Sequence, residues 1–394
     1  MRPLKSPFSL LLLLGVIYCN KAGANDSCGL QISLLTCSPG KELYSTFGHS
    51  AIRLKDPYTN TDVVFNYGTF NFDAPNFYGK FIRGKLDYFL SLSDYSDFLD
   101  SYKEEKRSVF EQILNLSCPE KQNLQSALQR NLLPENRTYR YDFILDNCTT
   151  RIRDLLLGLV DSPTLSKLNV PQNTTPRRLI HSYLDQGQKQ WSELGIDILL
   201  GSNIDQKLSA SGTMFLPEYL MKGADIMTIG KTKLLVHSKQ ELLLYSKVST
   251  AIRVNTPLLV FCFISLAISW VYFSNRNRES ILVRLFDILL FGVTGLTGVL
   301  LCFMWWGTDH VACSNNYNLL WALPFNLIAV PIIGKGFNWI KFYCFIVATI
   351  EGVLLLFWYW LPQQLNIAVV PVVLLLFMRS LQIARAKCGE RKQG

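Results

Sequence analysis

With 394 residues, 49% of them hydrophobic and only 18% charged, the chain is too apolar for a wholly soluble protein, whose domains carry about 25% charged residues. The mean hydropathy of +0.17 is unevenly spread: residues 25–250 read as an ordinary globular domain, and 257–383 as nearly continuous apolar sequence. The formal charge of +9 gathers largely at the edges of those apolar stretches, which points to membrane orientation and gives a nucleic-acid partner no support.

Residues 1–24 have the order of an export leader. Arg2 and Lys5 precede an apolar run from Phe8 to Cys19, and Ala22-Gly23-Ala24 supplies small residues for cleavage. Tyr18 ahead of Cys19 does not suit lipoprotein processing. Residues 25–256 are then expected outside the cytoplasm.

The exported part begins with a strand over 31–36, turned by Ser38-Pro39-Gly40. A second strand starts at His49, with His49, Ala51 and Arg53 on one face and Ser50, Ile52 and Leu54 on the other. Gly48 permits close approach of backbone or substrate. After a turn at 56–60, a third strand over 62–67 returns and can bring Asn66 or Asp62 near His49. Ser117 and Glu120 stand at capping-box spacing for a helix to about Leu132.

A short strand is expected over 139–145, running into Asp146-Asn147-Cys148. Ile152, Leu155, Leu156 and Leu159 then recur at helical period. Asp146 or Asn147 can cap that helix, which puts Cys148 in its first turn. There the helix dipole and free N–H groups favour a thiolate and can hold a developing oxyanion. A strand histidine beside it would act as base, with a further polar group fixing the ring. His181, after Arg177 and Arg178, reads as part of a solvated basic helix face, and His237 as a strand-edge histidine.

Of the ten cysteines, Cys28, Cys37, Cys118, Cys148 and Cys313 would face an oxidising compartment. That number is odd, so at least one is unpaired or bridges two chains; Cys28 can pair with Cys37 or Cys118. No CxxC or HxxxH spacing suggests zinc.

Five apolar stretches are candidate spans: 257–273, 286–306, 317–333, 342–361 and 365–383. Ten basic residues fall on one side: Arg276, Arg278, Arg284, Lys335, Lys341, Arg379, Arg385, Lys387, Arg391 and Lys392. The opposite loops, 307–316 and 362–364, carry none, which places residues 25–256 outside and the tail 384–394 in the cytosol. Trp305, Trp306, Trp358, Tyr359 and Trp360 form an aromatic belt at the outer ends. Asp309 and His310 lie just above it, where ionisable groups mark a candidate site.

The runs Tyr44-Ser45-Thr46-Phe47-Gly48-His49-Ser50-Ala51-Ile52-Arg53, 134–142 and Asp146-Asn147-Cys148-Thr149-Thr150-Arg151 resemble the Lnb-type bacterial lipoprotein N-acyltransferases. Residues 191–201, 214–217 and 316–324 extend the likeness over nearly the whole chain. The exported domain is also similar to permuted papain-like thiol enzymes of the lecithin:retinol acyltransferase and NlpC/P60 kind, in which a strand histidine precedes a helix-start cysteine. The resemblance implies an α+β exported domain followed by about five transmembrane helices in the bacterial inner membrane. It implies Cys148 as nucleophile and His49 as base; spacing selects Asn66 as third member. Tyr44, Arg53, Asn147, Asp309 and His310 are expected to support the pair or the substrate. The donor would be phospholipid and the acceptor the amine of a diacylglyceryl-cysteine lipoprotein, with no cofactor or metal. A membrane-tethered Cys–His hydrolase, either peptidoglycan amidase or phospholipase, is the alternative.

Overall fold

The computed structural model describes residues 28–159, 165, 168–230, 232–246, 254–274, 281–333 and 337–386. The expected leader therefore lies outside the described residues, as do Arg276, Arg278, Lys335, Lys387, Arg391 and Lys392.

Seven strands build one sheet: β1 (Gln31–Cys37), β2 (His49–Asp56), β3 (Thr61–Thr69), β4 (Asp87–Asp94), β5 (Val109–Leu114), β6 (Thr138–Arg140) and β7 (Val236–Leu243). Their order is β6-β4-β3-β2-β1-β5-β7, every pair antiparallel. Period-two alternation decides the two faces. Ile32, Leu34, Ile52, Leu54 and Phe65 point to the larger core, which is closed by α3 (Cys118–Leu132), α4 (Cys148–Leu157) and α7 (Pro217–Ile226). Leu35, Cys37, Ala51 and Val64 point the other way, toward Phe98 on α2 (Tyr95–Glu104). A short helix, α1 (Phe77–Ile82), precedes β4. The capping box at Ser117 and Glu120 is present, and Cys28 is bonded to Cys118. Cys37 is a free, buried thiol, and His237 lies exposed on edge strand β7.

The strand expected over 139–145 ends at Arg140. Asp142 stops it by accepting the N–H groups of Ile144 and Leu145, both at 2.8 Å. The backbones of Asp142 and Asp146 then bond to each other, and this tight turn swings the chain into α4.

Two further helices, α5 (Pro176–Gln186) and α6 (Gln190–Leu199), carry the domain down to the apolar region. That region holds α8 (Thr256–Ser274), α9 (Ile281–Trp306), α10 (Asn338–Leu356) and α11 (Val370–Ala384). Among the described residues, four helical segments are long and apolar enough to cross a bilayer, against about five expected. The stretch 317–333 is not a continuous helix. It holds a 3-10 turn at Tyr317–Leu320, then Pro324, then a short helix at Asn326–Ala329. Asn326 donates to Thr294 and accepts from Tyr343, so the interrupted backbone is buried against protein, where such breaks are tolerated.

Arg379 does not belong to a basic tail. It lies on α11, and its guanidinium forks onto Asp287 at 2.6 and 2.7 Å. Tyr272 donates to the same carboxylate at 3.0 Å. A buried charge needs such a partner.

Candidate active site

Cys148 owes its position to Asn147. Asn147 Oδ1 accepts from the N–H groups of Thr149 and Thr150, each at 2.8 Å, and Asn147 Nδ2 donates to the carbonyls of Phe143 and Phe215. Such a cap contributes about 1 kcal/mol to the helix. It also consumes the first-turn N–H groups expected to hold an oxyanion, leaving the N–H of Cys148 itself. Asn147 thus scaffolds the nucleophile, with its amide engaged by the helix cap and two carbonyls.

On the sheet, Gly48 has φ +81, and a side chain there would press within 2.6 Å of the Cys37 carbonyl. This bend starts β2 with His49 paired to Cys37. Register is lost between Asn66 and Thr69 on β3, where Gly68 has φ +86 and a Cβ would lie 3.4 Å from Cys148 Cβ. The break lets the start of α4 come against the sheet edge. There the imidazole of His49 lies close enough to the Cys148 thiol for the two to shift each other's protonation.

The ring also meets Asn66, with Nε2 3.4 Å from Oδ1. Asn66 is held in turn by donating to Ser93 Oγ at 3.1 Å. A cavity of about 320 Å³ lies beside His49, lined by Asn66, Ser91, Ser93 and Tyr102. Cysteine, histidine and asparagine are therefore neighbours.

Burial alone would push the Cys148 thiol up. The charge and hydrogen bond of His49, the Ser50 backbone and the Thr149 hydroxyl pull it down instead, to about 7. Burial would likewise lower His49, but the adjacent Cys148 charge, the bond to it and Asn66 raise it above its ordinary value. Thiolate and imidazolium stabilise each other. Burial pushes the other free thiols of this domain and loop up, Cys37 to about 12 and Cys313 to about 11.

Two aromatic residues were missed by residue-type reasoning. Tyr139 is buried beside Cys148 and Gly68, its hydroxyl without a side-chain partner. Arg151, forked onto Asp146 at 2.6 and 2.7 Å, stacks 3.9 Å from its ring. Tyr141 lies close enough for the Cys148 charge to act on its phenol. Only their proximity to the Asn-Cys motif in sequence could have flagged them.

Other expected residues stand elsewhere. Asp62 is committed to Arg53, which also bonds Glu111 and stacks on Tyr95, so Arg53 ties the sheet to α2. Tyr44 is 73% exposed on a 3-10 turn and is not brought to the pair. Asp309 and His310 face the segment around α1: the Asp309 N–H donates to the Arg83 carbonyl at 2.9 Å, and His310 Nε2 lies 3.1 Å from that of Phe81.

His181 is not on a solvated face. Its Nε2 is 2.8 Å from Asp197 Oδ1, which also accepts from fully buried Arg177 at 2.7 Å. His181, Glu193 and Asp197 bring ligand-type atoms within 4.8 Å of one another. Asp197 also accepts from Asn366 of the membrane part through Oδ2, so the trio ties the two parts together. It is a clamp beside a cavity of about 860 Å³ between the two parts. Asn316 and Asn318 reinforce it by donating to the carbonyls that end α6.

Models of two protein domains match the chain: the Lnb N-terminal periplasmic domain over residues 20–182 and the Lnb transmembrane domain over 249–390. The chain belongs to the Lnb family. No curated protein and no solved structure matches it. The Lnb chain is thus an inner-membrane protein with a periplasmic N-terminal α+β domain and a helical membrane region.

Proposed function

We propose that this Lnb protein is a thiol acyltransferase that moves a phospholipid acyl chain, through a thioester on Cys148, to the N-terminal amine of diacylglyceryl-cysteine lipoproteins. What supports the chemistry is Cys148 at a capped helix start with its thiol held low by the adjacent His49, which Asn66 contacts. The Cys148 thiolate attacks the ester carbonyl. In this reading the tetrahedral oxyanion is met by the Cys148 N–H and by the hydroxyl of Tyr139, which lies buried near Gly68. The carbon–oxygen bond then breaks, and His49 gives its proton to the departing lyso-lipid alkoxide. In the second half the lipoprotein amine attacks the thioester, His49 takes the amine proton, and the thiolate leaves. Thiolate suits both halves, being a good nucleophile and a good leaving group. Family membership supports the choice of donor and acceptor, and the C-terminal tail is assigned to the cytosol on the charge asymmetry.

Intact-mass analysis of purified protein incubated with phospholipid vesicles tests this. An acyl adduct removed by hydroxylamine and abolished by Cys148→Ser is expected, followed by transfer of labelled acyl chain to lipoprotein. Label released only as free fatty acid would make the protein a hydrolase. Absence of any adduct would remove the thioester route.

A further inference from the structure

Between β3 and β4 the chain makes an excursion of aromatic and basic residues that the chemistry above does not use. Phe72 is 66% exposed and Phe81 51% exposed, too much apolar surface in one short segment to be incidental in water. Lys80, Arg83 and Lys85 are interleaved with them. The height of this segment is set by the membrane region. Helix α9 ends in stacked Trp305 and Trp306 at the expected headgroup level. Three residues later the Asp309 N–H bonds the Arg83 carbonyl, and His310 reaches that of Phe81. The exposed rings are therefore tied directly to the outer end of a membrane span.

The same segment begins two residues after Gly68, which lies against Cys148. Its rings continue inward: Phe72 packs 4.7 Å from Phe70, Phe70 lies 5.2 Å from Tyr88, and Tyr88 stacks on Tyr141 at 4.3 Å. Tyr141 in turn is within reach of the Cys148 charge. A series of ring contacts thus runs from Phe72 to Tyr141, which packs against the same core as Cys148.

We propose that residues 70–85 form a strap seated in the periplasmic leaflet, and that a phospholipid acyl chain passes along Phe70, Tyr88 and Tyr141 to present its ester to Cys148. The ligand is a lipid surface: aromatic rings suit the interface between chains and headgroups, and the three cations complement lipid phosphates. The passage of the chain rests on the acyltransferase reading; the seating of the strap does not.

The test uses the full chain bearing Cys148→Ser, reconstituted in phosphatidylethanolamine–phosphatidylglycerol vesicles that contain a phospholipid with a diazirine within one acyl chain. After illumination, peptide mapping should find lipid on residues 70–88 or on Tyr141. Labelling confined to residues 256–384 would overturn the strap. In the otherwise native chain, Phe72→Ser with Phe81→Ser should lower thioester formation from vesicle phospholipid at least tenfold, with iodoacetamide alkylation of Cys148 as the control for an intact site. Phe72→Leu with Phe81→Leu should restore it. An unchanged rate in the serine variant would overturn the acyl path. If neither vesicle lipid nor a soluble short-chain nitrophenyl ester acylates Cys148 in the native chain, the acyltransferase reading fails, and the photolabelling still decides the strap.

Discussion

At the seam with the membrane helices, Arg177 donates to Asp197, Asp205 and the carbonyls of Leu200 and Gly201. At the start of α4, Cys148 faces His49, and their charges balance only when the proton sits on the ring. The first cluster uses up its hydrogen-bonding capacity on itself. Burial pushes Asp197 up, yet His181 and Arg177 hold it below its ordinary value, so it stays ionised and clamped. The second cluster keeps a thiol near 7 beside a raised histidine. Saturated polar groups hold two parts of a molecule together, whereas unsaturated and mutually charged ones are free to act on a substrate. That contrast separates the clamp around His181 from the site around His49.

The largest expected effect tests the reactive half of the contrast. His49→Gln should lower acyl transfer by about 10²–10⁴-fold, because an amide cannot carry the proton. The sign of the accompanying pH change is fixed by the pair. The thiolate exists above its midpoint near 7, and losing the imidazolium favours the neutral thiol. Alkylation of Cys148 should then have its midpoint displaced upward from about 7, because only the Ser50 backbone and the Thr149 hydroxyl are left to offset burial. An unchanged midpoint would show that His49 does not set the thiol.

The saturated half should respond in stability, not in chemistry. Arg177→Met leaves Asp197 and Asp205 without their shared cation, a loss of about 3–5 kcal/mol, or an unfolding midpoint lower by roughly 10 °C. The Cys148 alkylation midpoint should stay near 7. A stable variant with an altered thiol would mean that the two clusters are coupled.

How far the sequence revealed these clusters depends on the kind of signal each carries. Cys148 and His49 were legible because strand alternation and a capped helix start are local patterns, and the larger sheet core followed the same alternation. Asn66 was chosen by hairpin spacing, with Asp62 as the other residue the hairpin could deliver; Arg53 holding Asp62 removes that rival. The clamp was not legible. Arg177, His181, Asp197 and Asn366 are scattered over 190 positions of chain and meet only through tertiary packing. Arg379 was misplaced for a related reason: a basic residue near an apolar stretch reads as an edge charge unless its partner, 92 positions earlier, is known. The interrupted third stretch shows the limit of hydropathy, which counts apolar residues and cannot see that Pro324 and Asn326 break the helix against α9.

A smaller effect is expected at Gly68, where the site depends on backbone conformation. Gly68→Ala places a side chain at φ +86, a strain of about 1–2 kcal/mol. Its Cβ would meet Cys148 Cβ at an ordinary contact distance of 3.4 Å, so strain and not collision decides the outcome. Thermal unfolding should register the loss, and acyl transfer should fall by less than tenfold. A near-complete loss of transfer in a stable Gly68→Ala protein would mean that substrate itself passes across this glycine.

The smallest effect belongs to Asn66, because its bond to the ring is long. At 3.4 Å the contact is weak, and removing it by Asn66→Ala should cost about 1 kcal/mol, roughly a fivefold fall in rate. Size alone would not separate positioning from general packing, so the pH profile carries the test. Acyl transfer needs Cys148 deprotonated and His49 protonated, so its rate rises with pH through the thiol midpoint near 7 and falls as the ring loses its proton. Asn66→Asp places a carboxylate against Nε2, which favours the imidazolium and should carry the falling limb to higher pH. Asn66→Ala withdraws the carbonyl oxygen and should carry it lower. Opposite displacements of one limb by two substitutions at one position are what an orienting partner produces and what a packing defect does not. If the limb stays in place in both, Asn66 only fills space behind the ring, and the reactive cluster reduces to Cys148 and His49.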